Sequence, residues 1–119
     1  MPMLNFQARF ADAVASGAKT QTIRATLRAK VGDTLYLYTG ARTKACRKLG
    51  EGVCTAVWRA VIQTGSVLVE YDGGLFLTGC NLDPFAIADG FANFSEMREW
   101  FSKQHGLPFT GYLYTWELK

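Results

Sequence analysis

Gly17-Ala18-Lys19-Thr20-Gln21-Thr22-Ile23-Arg24 takes the chain from a helix into a strand, the change that sets its architecture. Before it, Phe6, Phe10 and Val14 recur at four-residue spacing with Ala11 and Ala13 between them. That spacing predicts a helix from about Gln7 to Ser16, and Gly17 is placed to end it in a left-handed turn. From Thr20 to Arg24 the chain is rich in β-formers, and its faces differ: Thr20, Thr22 and Arg24 on one, Gln21 and Ile23 on the other. A strand with one polar face is expected.

Working outward, Val31-Gly32-Asp33 reads as a turn into a second strand, Thr34 to Thr39, where Leu35 and Leu37 alternate with Tyr36 and Tyr38. Glycines bound a basic segment from Gly40 to Gly50, which predicts a surface loop. Glu51 to Gln63 and Val67 to Tyr71 read as strands joined at Gly65-Ser66, and Asp72-Gly73-Gly74 as a hairpin turn into Leu75 to Leu77. Asp83 followed by Pro84 has the order of an N-cap and first helical residue, opening a short helix that Gly90 stops. Asn93 and Glu96 have capping-box spacing at the head of a third helix, with Phe94, Met97, Trp100 and Phe101 on its apolar face and Gly106 at its end. A closing strand, Gly111 to Leu118, sets Tyr112, Tyr114 and Trp116 against Leu113, Thr115 and Glu117. Five or six strands and three helices in this order resist a βαβ repeat. The expected class is α+β, with a mostly antiparallel sheet curled toward a barrel.

A chain of 119 residues, 49% apolar and 19% charged, predicts one domain with a sizeable core and excludes a disordered chain. No apolar run approaches the roughly 20 residues of a membrane-crossing helix, and MPMLNFQARF lacks the basic-then-apolar order of a signal peptide. A cytoplasmic protein with no membrane partner is expected. Cys46, Cys54 and Cys80 are too irregularly spaced for a disulfide framework or, with His105, for a zinc site, so free thiols and no metal or other cofactor are expected. His105, beside Gly106, reads as the cap of the third helix. The net charge of +3 says little alone. Its distribution says more: Arg42, Lys44, Arg47 and Lys48 form a basic patch with no acid between Asp33 and Glu51, suited to phosphate contacts.

Gly17-Ala18-Lys19-Thr20-Gln21-Thr22-Ile23-Arg24 followed by Val31-Gly32-Asp33 resembles the ASCH domain, in which G-x-K-T-x-T-x-R precedes a G-D turn into a strand. Asp89-Gly90-Phe91, the helix carrying Glu96-Met97 and Trp100-Phe101, and the closing aromatic strand extend the resemblance over most of the chain. The basic insert between Thr39 and Glu51 is similar to that of phage-encoded members. The resemblance implies a PUA-like β-barrel with three flanking helices, and RNA or a modified pyrimidine nucleoside as partner. In small bacterial members that hydrolyse N4-acetylcytidine, a lysine, a threonine and a glutamate form the active group. Lys19 and Thr22 match the first two, and Asp89, one methylene shorter, stands for the third.

Amide hydrolysis needs a nucleophile, a base and a partner for developing charge. Thr22 could attack while Lys19 takes its proton, if burial or Arg24 makes a neutral amine available. Asp89 could instead be the base, with Lys19 kept charged as the oxyanion partner. Because residues three apart on a regular strand face opposite ways, Lys19 must lie in the turn after Gly17 or at a bulge to share a site with Thr22. Arg24, Thr20 and the basic loop would bind substrate. Two other readings use the same residues: a noncatalytic RNA-binding module, and a ribonuclease in which Lys19 and Arg24 stabilise the phosphate.

Overall fold

Ten elements follow one another in the computed structural model, which describes residues 3–27, 29–41, 43–70, 75–77 and 82–119. They are β1 (Met3–Phe6), α1 (Ala8–Ser16), β2 (Gln21–Arg24), β3 (Thr34–Thr39), β4 (Arg47–Ile62), β5 (Val67–Glu70), β6 (Leu75–Leu77), α2 (Leu82–Ala88), α3 (Phe94–Gln104) and β7 (Phe109–Leu118). The class is α+β, with three helices and one mostly antiparallel sheet.

The 16-residue β4 organises that sheet. One of its edges takes β7 over Gly52 to Ile62; the other takes β3 over Arg47 to Val53 and then β5 over Arg59 to Ile62. Two register irregularities let so long a strand bend: Leu49 is extra opposite the Leu37/Tyr38 step, and Thr55 is extra opposite Thr115/Trp116. β1 joins β3 in parallel, β2 joins β7, and β6 joins β5.

Four expectations change at this level. Among the described residues the sheet has seven strands rather than five or six. The additional one is β1, whose Phe6 has the four-residue spacing of α1 but is the last residue of a strand with alternating exposure. The barrel does not close among the described residues: β1 and β2 are ends of the ladder, and the Arg24 Nη2 donates to the Asn5 carbonyl at 2.9 Å between them. The basic loop is shorter than expected, because Arg47 and Lys48 already pair with Thr39 and Tyr38. Finally β2 has no polar outer face, since Gln21, Thr22 and Ile23 are all buried. β7 flanks it on one edge, and Gln21 Nε2 reaches the Phe85 carbonyl of α2 at 3.4 Å.

The core lies between the inner face of the sheet and the helices. Leu35, Leu37, Ala60, Ile62, Val67 and Tyr114 are fully or almost fully buried, together with Val14 of α1 and Met97 and Phe101 of α3. α1 ends as its sequence predicts, with Gly17 at φ 86° and its N–H on the Val14 carbonyl. α3 is capped by Asn93, whose Oδ1 accepts from the Glu96 N–H at 2.9 Å. Asp83 is not the N-cap of α2, which begins one residue earlier at Leu82. Its carboxylate instead accepts from the N–H of Phe94, the first residue of α3, at 2.9 Å, tying the two helices together. The hairpin turn at Asp72-Gly73-Gly74 lies outside the described residues.

Candidate functional site

A cleft enclosing about 300 Å³ opens where β1, β2 and the helices meet, at the small end of the range for small-molecule sites. Lys19, Thr22, Arg24 and Asp89 all line it. Lys19 reaches it because β2 starts only at Gln21: the residue sits in the connection from α1, its N–H on the Ala13 carbonyl at 2.9 Å, so the alternation of the strand does not bind it. The Thr20 N–H donates to the Ala88 carbonyl at 3.0 Å, bringing the end of α2 and the following Asp89 against the same connection. Residues separated by 70 positions thus become neighbours.

Lys19 and Asp89 are both 2% exposed, and Thr22 5%. The Lys19 ammonium donates a hydrogen bond to the Asp89 carbonyl oxygen and stands 3.6 Å from the carboxylate Oδ1. It also lies over the rings of Phe10 and Phe6, at 5.0 and 5.7 Å from their centroids. Burial pushes its pKa below the usual lysine value; Asp89 opposes that shift, and Arg24 and Arg9 reinforce it. For Asp89 burial is again the largest cause, raising the carboxyl to about 6 against the pull of Lys19, Gln21 and Arg24. Desolvation therefore drives both partners toward their uncharged forms. Oδ1 of Asp89 accepts no hydrogen bond in the described structure, leaving a buried acceptor in the wall of the cleft.

Arg24 binds protein on two sides. Its Nε donates to Thr22 Oγ1 at 3.1 Å and its Nη2 to the Asn5 carbonyl. With that lone pair engaged, the Thr22 hydroxyl proton is oriented away from Arg24. No hydrogen bond joins Lys19 to Thr22. Gly90 packs against the lysine stem: it stands at φ 95°, and a Cβ there would come within 2.9 Å of Lys19 Cδ and 3.1 Å of Phe10 Cδ1. The glycine that ends α2 is also the one that admits the lysine stem.

An aromatic wall, which the sequence marks only as core spacing, faces these groups. Phe10, Phe91, Phe101 and the half-buried Trp100 line the cleft, with Trp100 packed edge-on against Phe10 and Phe101. His105 does cap α3, through its backbone N–H, but its exposed ring also lines the cleft, 4.5 Å from that of Phe109. The sequence carries no periodic signal for these roles, because the residues come from three separate segments.

The remaining candidates lie elsewhere. Thr20 is exposed and outside the cleft. Lys44 and Arg47 are exposed, Lys48 is paired with Glu51, and Arg42 lies outside the described residues. Cys46 is exposed and Cys54 buried, both as free thiols, and Cys80 lies outside the described residues. Among the described residues no cluster of three or more His, Cys, Asp or Glu could hold a metal, and no helix is long and apolar enough to cross a membrane. No family model, curated protein or solved structure matches the chain. The chemistry of the cleft therefore rests on its own residues.

Proposed function

We propose that the chain is an ASCH-type domain of PUA-like architecture that hydrolyses the amide of an N4-acylated cytidine. The observation that carries the reading is the convergence of Lys19, Thr22 and Asp89, all buried, in the wall of one cleft. The flat pyrimidine would lie against Phe91 and Trp100, and its N4–H would meet Oδ1 of Asp89, which accepts no hydrogen bond although Lys19 stands 3.6 Å from it. Thr22 Oγ attacks the acyl carbon, and its proton passes to Lys19, whose burial favours the neutral amine that a base must be. The C–N bond then breaks, the cytosine nitrogen leaves with a proton as the amino group, and water hydrolyses the acyl-threonine to a carboxylic acid. Arg24 holds Thr22 in position and adds a fixed positive charge beside it. Lys19 must turn from the Asp89 carbonyl toward Thr22 when substrate binds, in keeping with catalytic hydrogen bonds that tighten only in the complex.

That same hydrogen bond favours a second reading, a noncatalytic module that holds an unpaired RNA base in the cleft, because it leaves Lys19 directed at Asp89 and not at Thr22. One experiment separates the two. Purified protein is incubated with N4-acetylcytidine and, separately, with mixed single-stranded RNA, and the products are resolved by chromatography. Release of cytidine supports the hydrolase. Untouched acetylcytidine at high enzyme concentration, with RNA bound but intact, would replace it with the binding module.

A further inference from the structure

A second groove lies next to the cleft at the end of β1. Asn5, Phe6 and Gln7 line both, and Asp12, Thr43 and Arg47 border the second. The sheet register explains how an arginine comes to be there. Phe6 pairs with Thr39, and Thr39 pairs with Arg47. Residues directly opposite in a ladder project from one face, so Arg47 shares the face of Phe6, two strand spacings or about 10 Å away along the sheet. One position later the alternation puts Lys48 on the opposite face, where it pairs with Glu51 and lies 5.6 Å from the Tyr36 ring centroid. Of these adjacent cations, one is neutralised on the outer face. The other is exposed toward the groove, and no hydrogen bond or ion pair engages its guanidinium among the described residues. The Ala41 N–H donates to Asn5 Oδ1 at 2.9 Å, so the turn bearing Thr43 is tied to the strand that separates groove from cleft.

We propose that this groove is an anion subsite of the cleft, in which Arg47 receives the phosphate of a nucleotide whose base occupies the aromatic cleft. The inference rests on the base-binding reading of the cleft, catalytic or not, and extends the ligand from a nucleoside to a nucleotide. A planar guanidinium suits a phosphate, which it can hold through two parallel N–H donors. The phosphate belongs either to a free nucleotide or to an RNA strand. Asp12 lines the same groove and works against the anion.

Calorimetric titration of the full chain at low salt with cytidine, cytidine 5′-monophosphate and cytidylyl-cytidine tests the idea. One of the phosphorylated ligands should bind about tenfold tighter than cytidine, the worth of a charged hydrogen bond. An advantage for the monophosphate indicates a free nucleotide, and one for the dinucleotide alone indicates a strand. Arg47→Met should reduce that advantage to nothing, Asp12→Asn should widen it, and Lys48→Met should leave it unchanged. Equal affinity for the three ligands in the wild type, or an advantage that survives Arg47→Met, overturns the subsite while leaving the base cleft standing. Absence of binding by all three overturns both.

Discussion

Lys19 and Asp89 illustrate how burial sets chemistry at a single residue. In water the pair would be ammonium and carboxylate; at 2% exposure each loses solvation, and both pKa values move toward neutrality. The sign of the resulting pH dependence follows from linkage. The folded pKa of Asp89, about 6, lies above the 3.8 of a free carboxyl, so between these values the unfolded chain releases the proton first. The stability that Asp89 contributes is complete below pH 3.8 and is lost as pH rises through about 6. Thermal melts of wild type and Asp89→Asn between pH 4 and 7 should therefore show the wild type losing ground to the variant as pH rises. A constant difference would deny the raised pKa. At Thr22, replacement by valine removes the proposed nucleophile and the oxygen that accepts from Arg24. Turnover of N4-acetylcytidine should vanish, with a stability loss of about 1 kcal/mol in urea titration for the missing hydrogen bond. Retention of substantial turnover would remove Thr22 from the nucleophile's role.

At the scale of elements, the turn that ends α2 matters most. Gly90 lies at φ 95° and Gly106, at the end of α3, at φ 81°, so alanine is strained at either position by about 1 kcal/mol or more. They differ in surroundings: a Cβ at Gly106 meets nothing within 4 Å, whereas one at Gly90 meets Lys19 and Phe10. Gly90→Ala should thus lower the urea midpoint more than Gly106→Ala and also depress turnover by displacing Lys19. Equal midpoints and unimpaired turnover would show that the lysine stem adjusts freely. The capping signals of α1 and α3 were legible because they are local: Gly17 and Asn93 act on backbone groups a few residues away. Asp83 misleads for the same reason. Its type and its proline neighbour describe a helix start, yet its partner is the N–H of Phe94, eleven positions on.

For the whole molecule, the uneven sharing of β4 predicts uneven stability. Residues 59–62 of β4 are paired on both edges, by β5 and β7, while among the described residues β1, β2 and β6 each have one neighbour. Native-state amide exchange should be slowest in the facing segments of β4 and β7 and faster in β1, β2 and β6, because edge strands open without disrupting the core. Slow exchange throughout β1 would mean that the gap between β1 and β2 is closed in solution, contrary to the open ladder.

By itself the sequence determined the elements with strong local codes. Alternation marked β3, and cap residues marked the ends of α1 and the start of α3. The Lys19–Arg24 block also marked three of the polar or charged residues that line the cleft, Lys19, Thr22 and Arg24. It takes the folded chain to bring Asp89 within 3.6 Å of Lys19 and Trp100 into the same wall. Folding alone also put Arg47 and Lys48 on opposite faces and recruited Met3 to Phe6 as a parallel strand. The physical reason is range: caps and alternation are written in neighbouring residues, whereas burial, charge pairing and strand partnership arise between residues whose meeting depends on the whole chain.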